Sequence, residues 1–118
     1  ETAPVEPEAA LVAAGVEVMR VGAAPDGHLD LHEALTLLGA RGITRVFSEG
    51  GPRIGEKLAL AGLADEVVVS TSPKALGDPG IVALRPGLAG LLADPDLYRL
   101  AGTELIGGDR FEHFVRRG

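Results

Sequence analysis

The chain has 118 residues, a usual size for one domain, and 46% of them are apolar but only 3% aromatic, so a core must be built from Leu, Val, Ile and Ala. Its 11 basic and 17 acidic residues give a net charge of −6 without any run of Lys or Arg, which argues against nucleic acid as a partner, and the lack of cysteine excludes disulfides and thiolate metal sites. No apolar stretch approaches the roughly 20 residues that span a bilayer and no signal-peptide pattern opens the chain; the expectation is a soluble, cytoplasmic protein with no membrane partner.

Glu1 to Pro7 is rich in Pro and Glu and reads as a mobile lead-in. Glu8 to Ala14 is Ala/Leu-rich and helical, with Gly15 as a stop. Val16 to Val21 alternates as a strand does. After the turn Pro25-Asp26-Gly27, Asp30 and Glu33 have the spacing of a capping box. Leu31, Ala34, Leu35 and Leu38 then trace one helical face, ended by Gly39 to Gly42. Thr44 to Phe47 reads as the next strand. Pro52 opens another helix, with Ile54, Leu58 and Ala61 on one face and a stop at Gly62. Glu66 to Ser72 is β-branched and nearly all apolar, which predicts a strand buried on both faces. Pro73 to Pro86 reads as loop, Gly87 to Ala93 as one helical turn, and Tyr98 to Ile106, Gly107-Gly108-Asp109 and Arg110 to Arg116 as a terminal hairpin. This order predicts an α/β fold, a mostly parallel sheet with helical crossovers and a C-terminal antiparallel hairpin. Three parallel strands are few for such a sheet, so residues 1–118 read as a single domain with preceding strands missing.

The chemistry concentrates at Phe47-Ser48-Glu49-Gly50-Gly51-Pro52. A strand runs into two glycines and a helix start. The glycines remove the side chains that would hold a ligand off the backbone. The helix start offers unpaired N–H groups and a partial positive charge, which suit a phosphate. Proline fits there because its missing N–H would be unpaired anyway. Taken alone, the Gly-Gly-Pro start is also what a plain turn looks like, and Glu49 could simply cap neighbouring amides. Arg53 opposes the helix dipole, as a residue beside a phosphate or a solvated one would. The spacing fits neither a Walker loop nor a Rossmann fingerprint. His28 and His32 are four apart, but the Asp30 cap puts His28 outside the helix and no third ligand is at hand, so no metal is expected. Ser70, Thr71 and Ser72 end a strand and read as ordinary hydroxyls or as cofactor contacts.

The stretch Gly42 to Pro52, Leu58, Ala61-Gly62-Leu63-Ala64-Asp65-Glu66-Val67, and the later Ser72-Pro73 and Leu76-Gly77 together resemble the C-terminal half of the reductase domain of the riboflavin-biosynthesis deaminase/reductase family. The combination E-G-G-P…G-L-x-D-E carries the resemblance. Glu49 stands where related dihydrofolate-reductase-like proteins more often have a third glycine. Ala64 replaces a frequent Val. The resemblance implies a partial dihydrofolate-reductase-like three-layer fold, with the domain's N-terminal half absent from this chain. It implies an NADPH-dependent 5-amino-6-(5-phosphoribosylamino)uracil reductase, which converts a ribosylamino-pyrimidine phosphate to its ribitylamino form. It places Glu49 at the substrate, and Gly50, Gly51, Pro52, Arg53, Ile54, Gly55 and Lys57 at the cofactor. It also implies a homodimer, or association with the missing half, and an isolated chain that is inactive. Tyr98, Leu100, Leu105, Ile106, Phe111 and Phe114 are the hairpin residues expected at an interface. The rival readings are a non-catalytic self-associating module and a general nucleotide-phosphate binder of the same fold.

Overall fold

The computed structural model describes residues 4–118. The chain divides into two compact units, Glu1–Val46 and Phe47–Gly118.

The first unit holds two helices, α1 (Val5–Ala13) and α2 (Leu31–Ala40). The lead-in expected for residues 1–7 falls partly on residues 1–3, which lie outside the described residues; from Val5 the chain is already helical. Pro7 does not prevent this, because the amides of a helix's first turn have no intrahelical acceptor to lose. Glu6 and Glu8 in that turn complement the helix dipole. Asp30 caps α2 as expected, its Oδ1 accepting the Glu33 N–H at 3.0 Å. The capping box is only half made. The Glu33 carboxylate accepts the Gly22 N–H at 2.7 Å, while the Asp30 N–H donates to the Gly22 carbonyl. Ion pairs Glu8–Arg20 and Glu17–Arg41 tie the intervening segment to the helices.

Residues 16–21 and 44–47, expected as parallel strands, form no ladder among the described residues. Their alternation is right for strands, but a strand exists only through its hydrogen-bonded neighbour. Here they have none, and Val16 and Val46 stay exposed.

The second unit runs α3 (Pro52–Leu60), β1 (Glu66–Thr71), α4 (Pro86–Ala93), β2 (Tyr98–Ile106) and β3 (Asp109–Arg116). Its sheet has the order β1-β3-β2, and both pairings are antiparallel. The described residues thus form an α/β structure whose sheet is antiparallel, where a mostly parallel one is expected from the element order. The hairpin forms as read. Gly107 and Gly108 take φ of +62° and +95°, the two positive values a two-residue primed turn requires and a side chain resists. A bulge between Leu100 and Gly102 bends β2.

The strand β1 is not buried on both faces. It lies at a sheet edge, Val67 and Val69 pack on the core, and Val68 between them faces out. The apolar run misleads because it has three valines in a row, while only alternate ones meet a covering layer. The α4 segment is two turns, longer than the single turn expected, and Pro86 at its start fits the first position.

The core of this unit is small: Ala59 from α3, Leu88 and Leu92 from α4, and Tyr98 from β2, flanked by Val67, Val69 and Phe114. The Tyr98 hydroxyl donates to the Ala64 carbonyl at 2.6 Å. Phe111 and Phe114 are separated: three apart on a regular strand, they point to opposite faces, and Phe114 packs against the core. Phe114, expected at an interface from the sequence, is half-buried against this core.

Candidate functional site

The glycine turn and the start of α3 lie within the second unit. Gly51 is the N-cap of α3, with φ −58° and ψ 176°, and Pro52 is its first helical residue. With no side chain at the cap, nothing reaches over to the helix amides. The Ile54 and Gly55 N–H groups both turn to the Gly51 carbonyl, at 3.0 and 3.3 Å. Pro52 has no N–H. The amides of Gly50, Gly51 and Arg53 have no acceptor among the described residues. These are donors at the positive end of a helix dipole, turned to solvent.

The two glycines have different reasons to be glycine. A Cβ on Gly50 would sit 3.1 Å from both Cβ and Cγ2 of Ile54, so Gly50 lets the turn fold back on its own helix. A Cβ on Gly51 would meet nothing within 4 Å, and the same holds for Gly55 one turn on. Neither has a positive φ. At Gly51 and Gly55 the chain itself gives no steric reason for glycine. The space on the Cβ side of Gly51 is open, next in the chain to the unpaired amides.

The charges around the helix starts differ. Helix α1 has Glu6 and Glu8 in its first turn, and α2 has Asp30 and Glu33. Helix α3 has no acid in its first turn and carries Arg53 there. Glu49 is exposed and makes no hydrogen bond or ion pair among the described residues, so it does not cap the turn. An anion at this helix start would meet the dipole, the free amides and the Arg53 guanidinium together.

Contiguity keeps Glu49, Gly50, Gly51, Pro52, Arg53, Ile54 and Gly55 together on one turn. Ile54 supplies the apolar floor under Gly50. Lys57 stands apart in the last turn of α3, about 7.5 Å along the axis from Pro52, and it has an interaction of its own within the chain. The Ser72 hydroxyl accepts the Lys74 N–H at 3.4 Å, a local turn contact. His28 lies in the Asp26 turn, and His113 pairs with Glu66 at 2.8 Å across the sheet. Among the described residues no cluster of His, Cys, Asp or Glu could hold a metal ion, and no helix is long and apolar enough to cross a membrane.

A contact that sequence reasoning misses lies beneath the site. Glu56, in the middle of α3 with its side chain 14% exposed, accepts the Arg85 Nε–H at 2.6 Å and the Gly87 N–H at 2.9 Å. Its available signal is α4, a helix whose N-cap residue, Arg85, offers no capping oxygen. The hydrogen bond from Arg85 holds the Glu56 carboxyl below its ordinary value; burial opposes this, and the Gly87 and Leu88 amides reinforce it. A carboxylate whose folded-state pKa is depressed stabilises the fold above its unfolded value, and the contribution is lost as pH falls through the folded value. Thermal midpoints of the wild type should therefore hold between pH 7 and 5 and decline below about 4.5, the ordinary carboxyl value. Melting curves of Glu56→Gln over the same range should lack that part of the acid decline; superimposable profiles would count against the charged clamp.

An α/β unit with a side-chain-free, uncapped and acid-free helix start belongs to the class of folds that can seat an anion on backbone amides. The RibD C-terminal domain family matches residues 2–108, and the chain belongs to that family, the riboflavin-biosynthesis reductase family that the glycine turn resembles. The chain is 37% identical over 91 residues to the riboflavin biosynthesis protein RibD of Escherichia coli (strain K12), across 75% of this chain and 24% of that protein. It thus spans about a quarter of that relative's length.

Proposed function

We propose that this chain supplies the cofactor-binding part of an NADPH-dependent reductase that converts a ribosylamino-pyrimidine phosphate to its ribitylamino form in riboflavin biosynthesis. The observation that supports it most is the helix start at Gly51, where the Gly50, Gly51 and Arg53 amides have no acceptor among the described residues and no side chain caps the helix. When bound, NADPH would supply the hydride that reduces C1 of the ribosyl group. The Gly50, Gly51 and Arg53 amides would hold the diphosphate, with Pro52 presetting the helix start. Ile54 and Gly55 would line the approach, the Arg53 guanidinium would add charge, and Lys57 would contribute at longer range. Glu49, which makes no hydrogen bond or ion pair among the described residues, would orient the substrate's hydroxyls or ring nitrogens. The protein's part is binding and positioning, and an acid that protonates the sugar oxygen would come from outside this turn.

The finer fold reading belongs to the same proposal. Residues 16–21 and 44–47 would find ladder partners outside these 118 residues, in a mostly parallel dihydrofolate-reductase-like sheet that makes one domain. A cytoplasmic location follows from such metabolism. A second reading, self-association, is favoured by the exposed Leu105 and Ile106 on the edge strand β2. It is compatible with the first as a homodimer.

Calorimetric titration with NADPH, NADH and ADP tests the proposal. NADPH should bind, and more tightly than the other two, while the chain alone should not turn the pyrimidine over. Preference for ADP would favour the general nucleotide binder. Absence of binding by all three, with dimers in sedimentation, would leave the self-associating module.

A further inference from the structure

We propose that Glu56 is a positioning residue for the glycine turn, holding the N-terminal half of α3 at a fixed angle by clamping it to the first turn of α4. The proposal rests on the turn's being the dinucleotide phosphate site. Helix α3 is pinned near its C-terminal end by Ala59, which is 4% exposed in the core. Its N-terminal end has no cap to fix it. Between them, the Glu56 side chain reaches the start of α4. Both its oxygens are used, one on the Arg85 Nε–H and one on the Gly87 N–H. Helix α4 is itself anchored in the core by Leu88 and Leu92.

The contact also has a shape requirement. A Cβ on Gly87 would lie 2.6 Å from the Glu56 carboxylate oxygen, so glycine at that position lets the carboxylate reach the backbone amide. The arrangement serves both helices at once. Helix α4 receives from Glu56 the capping oxygen that Arg85 cannot supply. Helix α3 gains a second fixed point, about one and a half turns from Gly51. Without it, α3 would pivot about Ala59, and the largest displacement would fall at its free end, where the unpaired amides are.

Hydrogen exchange and NADPH titration of the full chain, on the wild type, Glu56→Ala and Glu56→Gln, test this. In Glu56→Ala the amides of 54–58 should exchange faster while those of β2 and β3 keep their protection, and NADPH affinity should fall about tenfold. Glu56→Gln, which can still accept the Gly87 N–H, should lie between the two, and it carries the test if Glu56→Ala does not fold. Faster exchange confined to 86–89, with NADPH affinity unchanged, would overturn the proposal and leave Glu56 as a cap for α4 alone. If the wild type binds no NADPH, the phosphate-site reading falls by itself; the exchange pattern at 54–58 then decides the positioning role.

Discussion

Gly51→Asp is expected to raise the stability of α3 and, in the same molecule, to weaken NADPH binding by tenfold or more. The two effects have one cause. The backbone at Gly51 is extended, with φ −58° and ψ 176°, and nothing lies within 4 Å of a Cβ there, so an aspartate enters without strain. Its carboxylate then accepts from the first-turn amides, as a capping residue does. Replacing a glycine cap in this way is worth a few tenths of a kcal/mol. A negative charge at the helix start adds about 0.3–1 kcal/mol. One of them, the Arg53 amide, is among those proposed to hold the diphosphate. Losing one charge-assisted hydrogen bond costs about 1.5–3 kcal/mol, a factor of ten or more in affinity, and carboxylate–phosphate repulsion adds to it. Gly51→Ser separates the terms, since it caps without charge and should weaken binding less. Circular dichroism melts and calorimetric titration read the two quantities independently. A variant that melts higher and binds NADPH as the wild type does would remove the turn from the cofactor site.

That experiment turns on a feature legible in the sequence, and the reason it was legible is that it is local. The glycines, the proline and the following helix lie within a few residues, and capping and turn rules act over that range. The same holds for the Asp30 cap and the Gly107-Gly108 turn, both of which form at the residues the sequence predicts. What the sequence hides is long-range. Residues 16–21 and 44–47 carry the alternation of strands, yet pairing depends on neighbours that periodicity does not name. The three valines of β1 look doubly buried because a run of apolar residues does not say which face has a layer over it. Phe114 and Phe111 look equivalent until the strand's alternation sends one to the core and the other away. Glu56 and Arg85 are 29 residues apart, a distance at which no local rule pairs them. The candidate site is thus readable at its surface, while the clamp beneath it is not.

Tyr98→Ala is expected to unfold the 47–118 unit. Tyr98 is 3% exposed, the most buried side chain of a core that includes Ala59, Leu88 and Leu92. Truncating a large buried aromatic costs about 3–5 kcal/mol through lost transfer energy and the cavity left behind. Natural domains have only about 5–15 kcal/mol in total, and a unit with so few buried side chains lies toward the lower part of that range. The ring also has a polar role. Burial pushes the Tyr98 hydroxyl up in pKa, which keeps it a donor to the Ala64 carbonyl at 2.6 Å. This bond ties the start of β2 to the segment that leads from α3 into β1. Tyr98→Phe keeps the packing and loses the bond, so it should cost only about 1 kcal/mol. Urea unfolding followed by far-ultraviolet circular dichroism should therefore show a cooperative transition for the wild type, a modestly lowered midpoint for Tyr98→Phe, and little or no folded baseline for Tyr98→Ala. Because Ala59 packs in the same cluster as Tyr98, a partial collapse into the cavity would also shift α3. NADPH binding should then fall in any Tyr98 variant that retains helical signal. Wild-type stability in Tyr98→Ala would mean that the hairpin and the helices hold together by contacts other than this cluster.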